Sequence, residues 1–224
     1  MLHTVNVYYT TVNYHFRFIK SLLSVLSTRE KKQSERFFTK NLSEKYIVTR
    51  AILRNILSQH LGIAPQDVEF VRNSYGKPFV RDTEIEFNMS HSYNSVYYAI
   101  AHNFSVGIDV EFYNREKAIF NIAKSVFSED ELLFFLSLSN VKRQEFFFDT
   151  WTKKEAVIKA MGLGLAYPME KVNTMLEKNI GYIKLFQDQY YVHALNSSNS
   201  YKAHLVVKNE EDIVINQQPF TKFI

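Results

Sequence analysis

The 224 residues carry a formal charge of +4, with 46% hydrophobic and 15% aromatic side chains, 6 Gly, 4 Pro and no Cys. That composition supplies a packed core nearly end to end and excludes a long disordered tail, a disulfide framework, a thiolate nucleophile and a zinc–thiolate site. The basic excess either favours an anionic partner (nucleic acid, a phosphorylated small molecule or an acidic protein) or serves solubility alone.

In chain order, the first twenty residues lack a basic segment followed by a sustained apolar run, and no stretch reaches the length of a membrane span. A cytoplasmic protein without membrane contact is therefore expected. The alternating "VNVYY" predicts a strand. "SEKYIVTRAILRNILSQHLGI" predicts a helix, because Ile47, Ala51, Ile52, Ile56 and Leu57 recur at helical spacing, and Gly62 and Pro65 end it. "VEFVRN", "EIEFNM", "SVYYAIAH" and "SVGIDVEF" follow as short strands separated by turns such as "NSYGKP", and predict an antiparallel meander. From Asn114 the pattern turns helical through "EKAIFNIAKSVFS", "SEDELLFFLSLS" and "RQEFFFDTWTKKEAVIKAMG", before the strand-like "YIKLFQ", "YYVHAL" and "KAHLVV". Helices then strands occur twice. An α+β fold in two halves is expected, residues 1–104 and 105–224, meeting near residues 104 to 112.

Two segments concentrate chemistry. In "SVGIDVEF", strand alternation sets Val106, Ile108 and Val110 on one face and Gly107, Asp109 and Glu111 on the other. Two neighbouring carboxylates repel unless solvent or a cation relieves them, and such hard oxygen donors suit Mg²⁺ or Mn²⁺. A solvated acidic strand face is the commoner meaning of a lone D-x-E. Gly107 leaves room for a ligand to approach the backbone. In "WTKKEAVIKAMGLGL", Glu155 and Lys159 stand at i and i+4 with Thr152 beside them, while Val157, Ile158 and Met161 form a separate apolar stripe. Alone, that pair is an ordinary surface ion pair worth about 0.3–0.5 kcal/mol, and Gly162 and Gly164 simply end a helix.

Two shorter fragments add candidates. "YGKPF" presents Lys77 on a turn, as an anion contact or an exposed lysine, and "FNMSHS" places Ser90 and His91 at a strand end. There is no G-x-S-x-G elbow to make Ser90 and His91 a hydrolase dyad, and Val71 and Pro78 break any Walker pattern around Lys77.

Together and in this order, "GKP", "FNMSHS", "VGIDVE", "IAKSVFSEDE" and "WTKKEAVIKAMGLGL" resemble the 4′-phosphopantetheinyl transferases, specifically the larger, surfactin-synthetase-activating type. The resemblance extends into "RFFTKNLSEKYIVTRAILR" and covers roughly residues 28 to 168. It implies transfer of the phosphopantetheine arm of coenzyme A to a serine of an acyl or peptidyl carrier protein, with release of 3′,5′-adenosine bisphosphate. It further implies a monomer of two similar halves related by a pseudo-two-fold axis, with the site in the cleft between them. By the same resemblance Asp109, Glu111 and Glu155 hold one Mg²⁺ (Mn²⁺ being an alternative), Glu155 is the general base, and Lys159 pairs with a phosphate oxygen supported by Lys154. The lysines are expected to keep Glu155 ionised, and Trp151 to anchor its helix in the core. Lys77, Ser90 and His91 contact the nucleotide end, His91 at the 3′-phosphate. An arginine usual in the N-terminal helix is replaced by Lys45, which keeps the charge and loses bidentate geometry, and the upstream lysines are shifted to Lys31 and Lys32. The apolar Ile119, Phe120, Ile122 and Val126 are expected to include a docking surface for the carrier.

Two rivals compete for these residues. A D-x-E strand with a Glu and Lys on a helix also suits a magnesium-dependent nuclease, and a basic, aromatic-rich chain suits a non-enzymatic nucleic-acid-binding module. Neither explains "GKP" and "SHS", so nucleic acid is not the expected partner.

Overall fold

The computed structural model describes residues 3–113, 119–175, 182–210, 212–221 and 223. Strand β1 (His3–Thr11) leads through a 3-10 turn (Val12–Phe18) to helices α1 (Ile19–Ser24), α2 (Thr28–Ser34) and α3 (Lys40–Leu61). Strands β2 (Phe70–Arg72), β3 (Pro78–Val80), β4 (Ile85–Ser92), β5 (Ser95–His102) and β6 (Val106–Phe112) follow. Helices α4 (Ile119–Val126), α5 (Glu129–Ser137) and α6 (Asn140–Met161) precede strands β7 (Tyr182–Leu185), β8 (Asp188–Ala194), β9 (Tyr201–Lys208) and β10 (Ile213–Pro219). The start of the helix expected from Glu116 lies outside the described residues.

Each half is a 22-residue helix on a four-stranded sheet. The first sheet has the order β10-β1-β5-β4 and the second β6-β9-β8-β7. Both long helices end on a glycine in the left-handed region, Gly62 at φ 68° and Gly162 at φ 74°, which a side chain adopts only with strain. Helix α3 starts on Thr39, whose hydroxyl accepts from the Leu42 amide, and α5 starts on a reciprocal Ser128–Glu131 capping box.

Alternation in the strands builds the layers. Val96, Tyr98 and Ile100 pack beneath Ile47, Ile52 and Ile56 of α3, while Tyr97, Ala99 and Ala101 face the other way. That second face meets Val106, Ile108 and Val110 of β6 and Leu205 and Val207 of β9, so the two sheets pack on each other. Val206 turns outward to Val157 and Ile158 of α6. The order of layers is thus helix, sheet, sheet, helix. Each fully buried Ile, Leu or Val in this stack contributes roughly 1.5–3 kcal/mol.

Three expectations need correction. The strands from residue 70 to 112 do not form one meander: β2 pairs only with β3, β4 with β5, and β6 leaves for the second sheet, where it pairs with β9. A clean division after residue 104 also fails, because β10 returns to the first sheet and runs parallel to β1, His3 opposite Ile213 through Tyr9 opposite Pro219. Gly107 serves packing rather than a ligand. A Cβ there would stand 1.9 Å from the Ala156 carbonyl oxygen and 2.4 Å from the Ala160 amide, so its missing side chain is what lets α6 lie on β6.

Candidate active site

The close approach at Gly107 brings the carboxylates of β6 under α6. Gly107, Asp109 and Glu111 share the helix-facing side of the strand, and α6 supplies Trp151, Glu155 and Lys159 over it. With Met89, Ser90 and His91 from β4, these side chains line a cleft of about 380 Å³. The two halves therefore contribute opposite walls.

Asp109 is the most enclosed of the three acids, at 3% exposure. Its Oδ1 pairs with the Lys159 ammonium at 2.6 Å and accepts from the Ser90 hydroxyl at 2.7 Å. Lys159 also donates to Ser90 Oγ at 3.1 Å and to the Ile108 carbonyl at 3.3 Å. Glu111 Oε2 accepts from the Ser92 hydroxyl at 2.7 Å. Burial pushes the Glu155 carboxyl above its ordinary range; Lys159 opposes this, and Asp109 and Glu111 add to it. Of the nearby lysines only Lys159 acts on Glu155 in the expected direction: Lys153 pairs with Asp149 at 2.6 Å, and Lys154 is turned into the core.

Lys154 does not belong to the site. It is fully buried, pairs with the equally buried Glu131 at 2.7 Å, donates to the Met169 carbonyl at 3.0 Å and also bonds the Val172 carbonyl. No direction remains for a phosphate contact. Lys77 likewise does not line the cleft. Its ammonium stands 3.7 Å from Glu86 and 3.4 Å from the Val106 carbonyl, and its stem packs where Gly162 has no side chain. Gly162 and Gly164 turn beside the β2–β3 hairpin, where the Asn73 amide donates to the Gly162 carbonyl at 2.9 Å. Lys45 reaches from α3 to the carbonyl of Tyr93 at 2.8 Å, just past His91. Although His91 is exposed at the cleft, the surrounding protein mass, then Lys159 and Lys45, hold it below the usual imidazole range. Lys31 and Lys32 lie on α2, away from the cleft lining. Trp151 is half-buried, stacked on Phe147, and forms part of the cleft wall as well as the edge of the core.

Sequence patterns left Met89, Asn88 and Ser92 unassigned. Their signal is in "FNMSHS" itself: Asn88, Ser90 and Ser92 alternate, so small polar groups project together from one face of β4. A larger cavity of about 670 Å³ is walled by Tyr9, Tyr14, Tyr93, Tyr97 and Tyr201 and neutral hydroxyls. Among the described residues it carries no carboxylate or cation in its lining, whereas the smaller cleft carries both.

Among the described residues, no three His, Asp or Glu side chains stand in ligating geometry as a set. The donor chemistry nevertheless fits a hard dication: three carboxylates line one cleft, and buried Asp109 Oδ2 has no hydrogen-bond partner among the described residues. A buried acceptor left unsatisfied costs about 1–3 kcal/mol, more when charged, which an ion contact would offset.

This arrangement sets three acids and a lysine at a seam between two α+β halves. Residues 105–214 match the model of the 4′-phosphopantetheinyl transferase superfamily, and residues 15–103 match that of the 4′-phosphopantetheinyl transferase N-terminal region. The chain belongs to the 4′-phosphopantetheinyl transferase superfamily. It is 35% identical over 152 residues to the 4′-phosphopantetheinyl transferase HetI of Nostoc sp., covering 66% of this chain and 64% of that protein. To the 4′-phosphopantetheinyl transferase gsp of Aneurinibacillus migulanus it is 34% identical over 154 residues, covering 67% and 63%. To the 4′-phosphopantetheinyl transferase Sfp of Bacillus subtilis it is 28% identical over 159 residues, covering 70% and 69%. The chain thus spans just under two thirds of the length of the first two relatives. No helix among the described residues is long and apolar enough to cross a membrane.

Proposed function

We propose that this chain transfers the 4′-phosphopantetheine group of coenzyme A to a serine of an apo carrier protein. The supporting observation is that Ser90, His91, Asp109, Glu111, Glu155 and Lys159, drawn from three separate segments, line one cleft between the halves. Asp109, Glu111 and Glu155 would hold Mg²⁺ or Mn²⁺, which supplies countercharge to the pyrophosphate. The carrier serine oxygen bonds to the β-phosphorus, and the bond from that phosphorus to the bridging oxygen breaks. The bridging oxygen leaves on 3′,5′-adenosine bisphosphate. The serine proton passes to Glu155, the carboxylate that α6 places in the cleft, acting as general base.

Lys159 is long enough to exchange its contact with Asp109 for a phosphate oxygen, and it already stands among the side chains that line the cleft. His91 and Lys45 flank the nucleotide end; a phosphate dianion placed between them would favour protonation of His91. The carrier docks beside α4, where Phe120 and Ile122 are exposed and the Lys124 ammonium lies 4.7 Å from the Phe120 ring centre. That pairing of apolar surface and cation would complement a carrier surface that presents acidic and apolar side chains together.

Intact-mass measurement of several apo carrier proteins, incubated with this protein, coenzyme A and Mg²⁺, tests the proposal. A mass gain of one phosphopantetheine group, lost on chelation of the metal, is the expected result. Unmodified carriers throughout, with coenzyme A left intact, would overturn it.

A further inference from the structure

Ser92 is absorbed by none of the roles above, although it lies two residues beyond Ser90 on the same face of β4. A serine hydroxyl has one proton to give and lone pairs to accept with. Here both are committed across the seam: Ser92 Oγ accepts from the Phe112 amide at 3.0 Å and donates to Glu111 Oε2 at 2.7 Å. The amide fixes where the hydroxyl oxygen sits, so the proton is aimed at the carboxylate. A 2.7 Å O–H···O⁻ contact is in the range of charge-assisted bonds, about twice the strength of neutral ones.

The serine itself is held firmly. It closes the β4–β5 hairpin opposite Ser95, and the turn that follows is tied to the start of the chain: the Asn94 carbonyl accepts from Val12 and the Asn94 side chain from Asn13. Tyr93 at that turn stacks on Phe112, the residue next to Glu111, at 4.9 Å between ring centres. A rigid hairpin of the first sheet therefore carries a donor to an acid of the second.

We propose that Ser92 is a positioning residue for the metal site. Its hydroxyl fixes the Glu111 carboxylate against β4 and keeps that acid's contribution to ion binding preorganised. This rests on the assignment of Asp109, Glu111 and Glu155 as ligands. Partners of ligating groups commonly govern affinity because they remove the cost of orienting the ligand.

The test is binding of Mn²⁺ alone to the 224-residue protein, followed by electron paramagnetic resonance, for the parent, Ser92→Ala, Ser92→Thr and Asp109→Ala. Ser92→Ala is expected to weaken Mn²⁺ by roughly 10-fold, the lower end of what loss of an outer partner costs. Ser92→Thr, which keeps the hydroxyl and suits a strand, restores parent affinity. In steady state, Ser92→Ala raises the Mg²⁺ requirement, while saturating Mg²⁺ returns most of kcat and the KM for coenzyme A is unchanged. If the alanine variant does not fold, Ser92→Cys replaces it, since a thiol fills nearly the same space and is only a weak donor. Parent-like Mn²⁺ affinity in a Ser92→Ala protein of lowered thermal stability overturns the proposal, because Ser92 then serves only the Phe112 amide. An Asp109→Ala protein that binds Mn²⁺ like the parent overturns the ligand assignment itself, and the role of Ser92 with it.

Discussion

Replacing Lys154 separates a structural lysine from a phosphate-binding one. The side chain is fully buried on α6, and its partner Glu131 is fully buried on α5. Besides Glu131 at 2.7 Å, the ammonium bonds the carbonyls of Met169 and Val172, while Glu131 accepts from the amides of Ser128 and Thr174 and from the Thr174 hydroxyl. The pair pins α5, α6 and the 169–174 segment to one another. Lys154→Ala would leave a carboxylate in the core without its cation, an event that costs about 3–5 kcal/mol. For a chain of this size that corresponds to a fall in Tm of roughly 6–20 °C. Lys154→Met paired with Glu131→Gln should recover much of the loss, since a buried ion pair is often replaceable by uncharged groups of similar volume. Thermal unfolding followed by circular dichroism gives the stabilities, and titration calorimetry at a temperature where all variants are folded gives coenzyme A affinity. The expected outcome is lost stability with unchanged coenzyme A affinity. A Lys154→Ala protein that melts with the parent and binds coenzyme A weakly would refute the structural assignment.

Three further outcomes follow from the same contacts. Gly107→Ala should abolish soluble expression or lower stability by more than about 4 kcal/mol, because its Cβ would meet helix backbone that cannot move aside; a parent-like melting curve would show that α6 does not lie so close. Burial raises the proton affinity of Glu30, but the Ser27 amide, Arg50 and Arg54 outweigh it and hold the carboxyl below its usual range. Its contribution to stability is therefore present above the unfolded value near pH 4.5 and lost as pH falls through the lower folded value, so the urea midpoints of parent and Glu30→Gln should converge in that acid window and separate at neutral pH. Glu155→Gln should keep measurable coenzyme A binding while transfer falls by roughly 10²-fold or more; near-parent turnover would place the proton on another group.

How legible this was in the sequence depends on how local the cause was. Helix α3 was legible because Ile47, Ala51, Ile52, Ile56 and Leu57 recur on one face and Gly62 ends the run. In β6, Val106, Ile108 and Val110 alternate with Gly107, Asp109 and Glu111, and the structure puts the two sets on opposite sides. Strand β10 was not legible. "IVINQQP" has weak alternation, and its place beside β1 is set by parallel pairing across more than 200 residues, which no local period encodes. Lys154 was misassigned for a related reason: its neighbours Lys153, Glu155 and Lys159 are all charged, and only the tertiary position of Glu131 shows that this one lysine points inward.

The cleft's location follows from how the two sheets manage their edges. β4 and β6 are each the last strand of a sheet, and an uncovered edge exposes backbone groups that invite wrong pairing. The two do not join by a backbone ladder. Instead the alternating face of β4 lies over the edge of β6: Asn88 accepts from the Ile108 amide and Ser92 from the Phe112 amide, so side chains satisfy what a strand would have. Between those two contacts Ser90 meets Asp109, and Ser92 meets Glu111. A backbone ladder would have drawn the strands to about 4.8 Å and left no room for a substrate between the halves. Side-chain rungs hold the strands farther apart and orient the acids, so the same residues that protect the sheet edge also build the walls of the cleft.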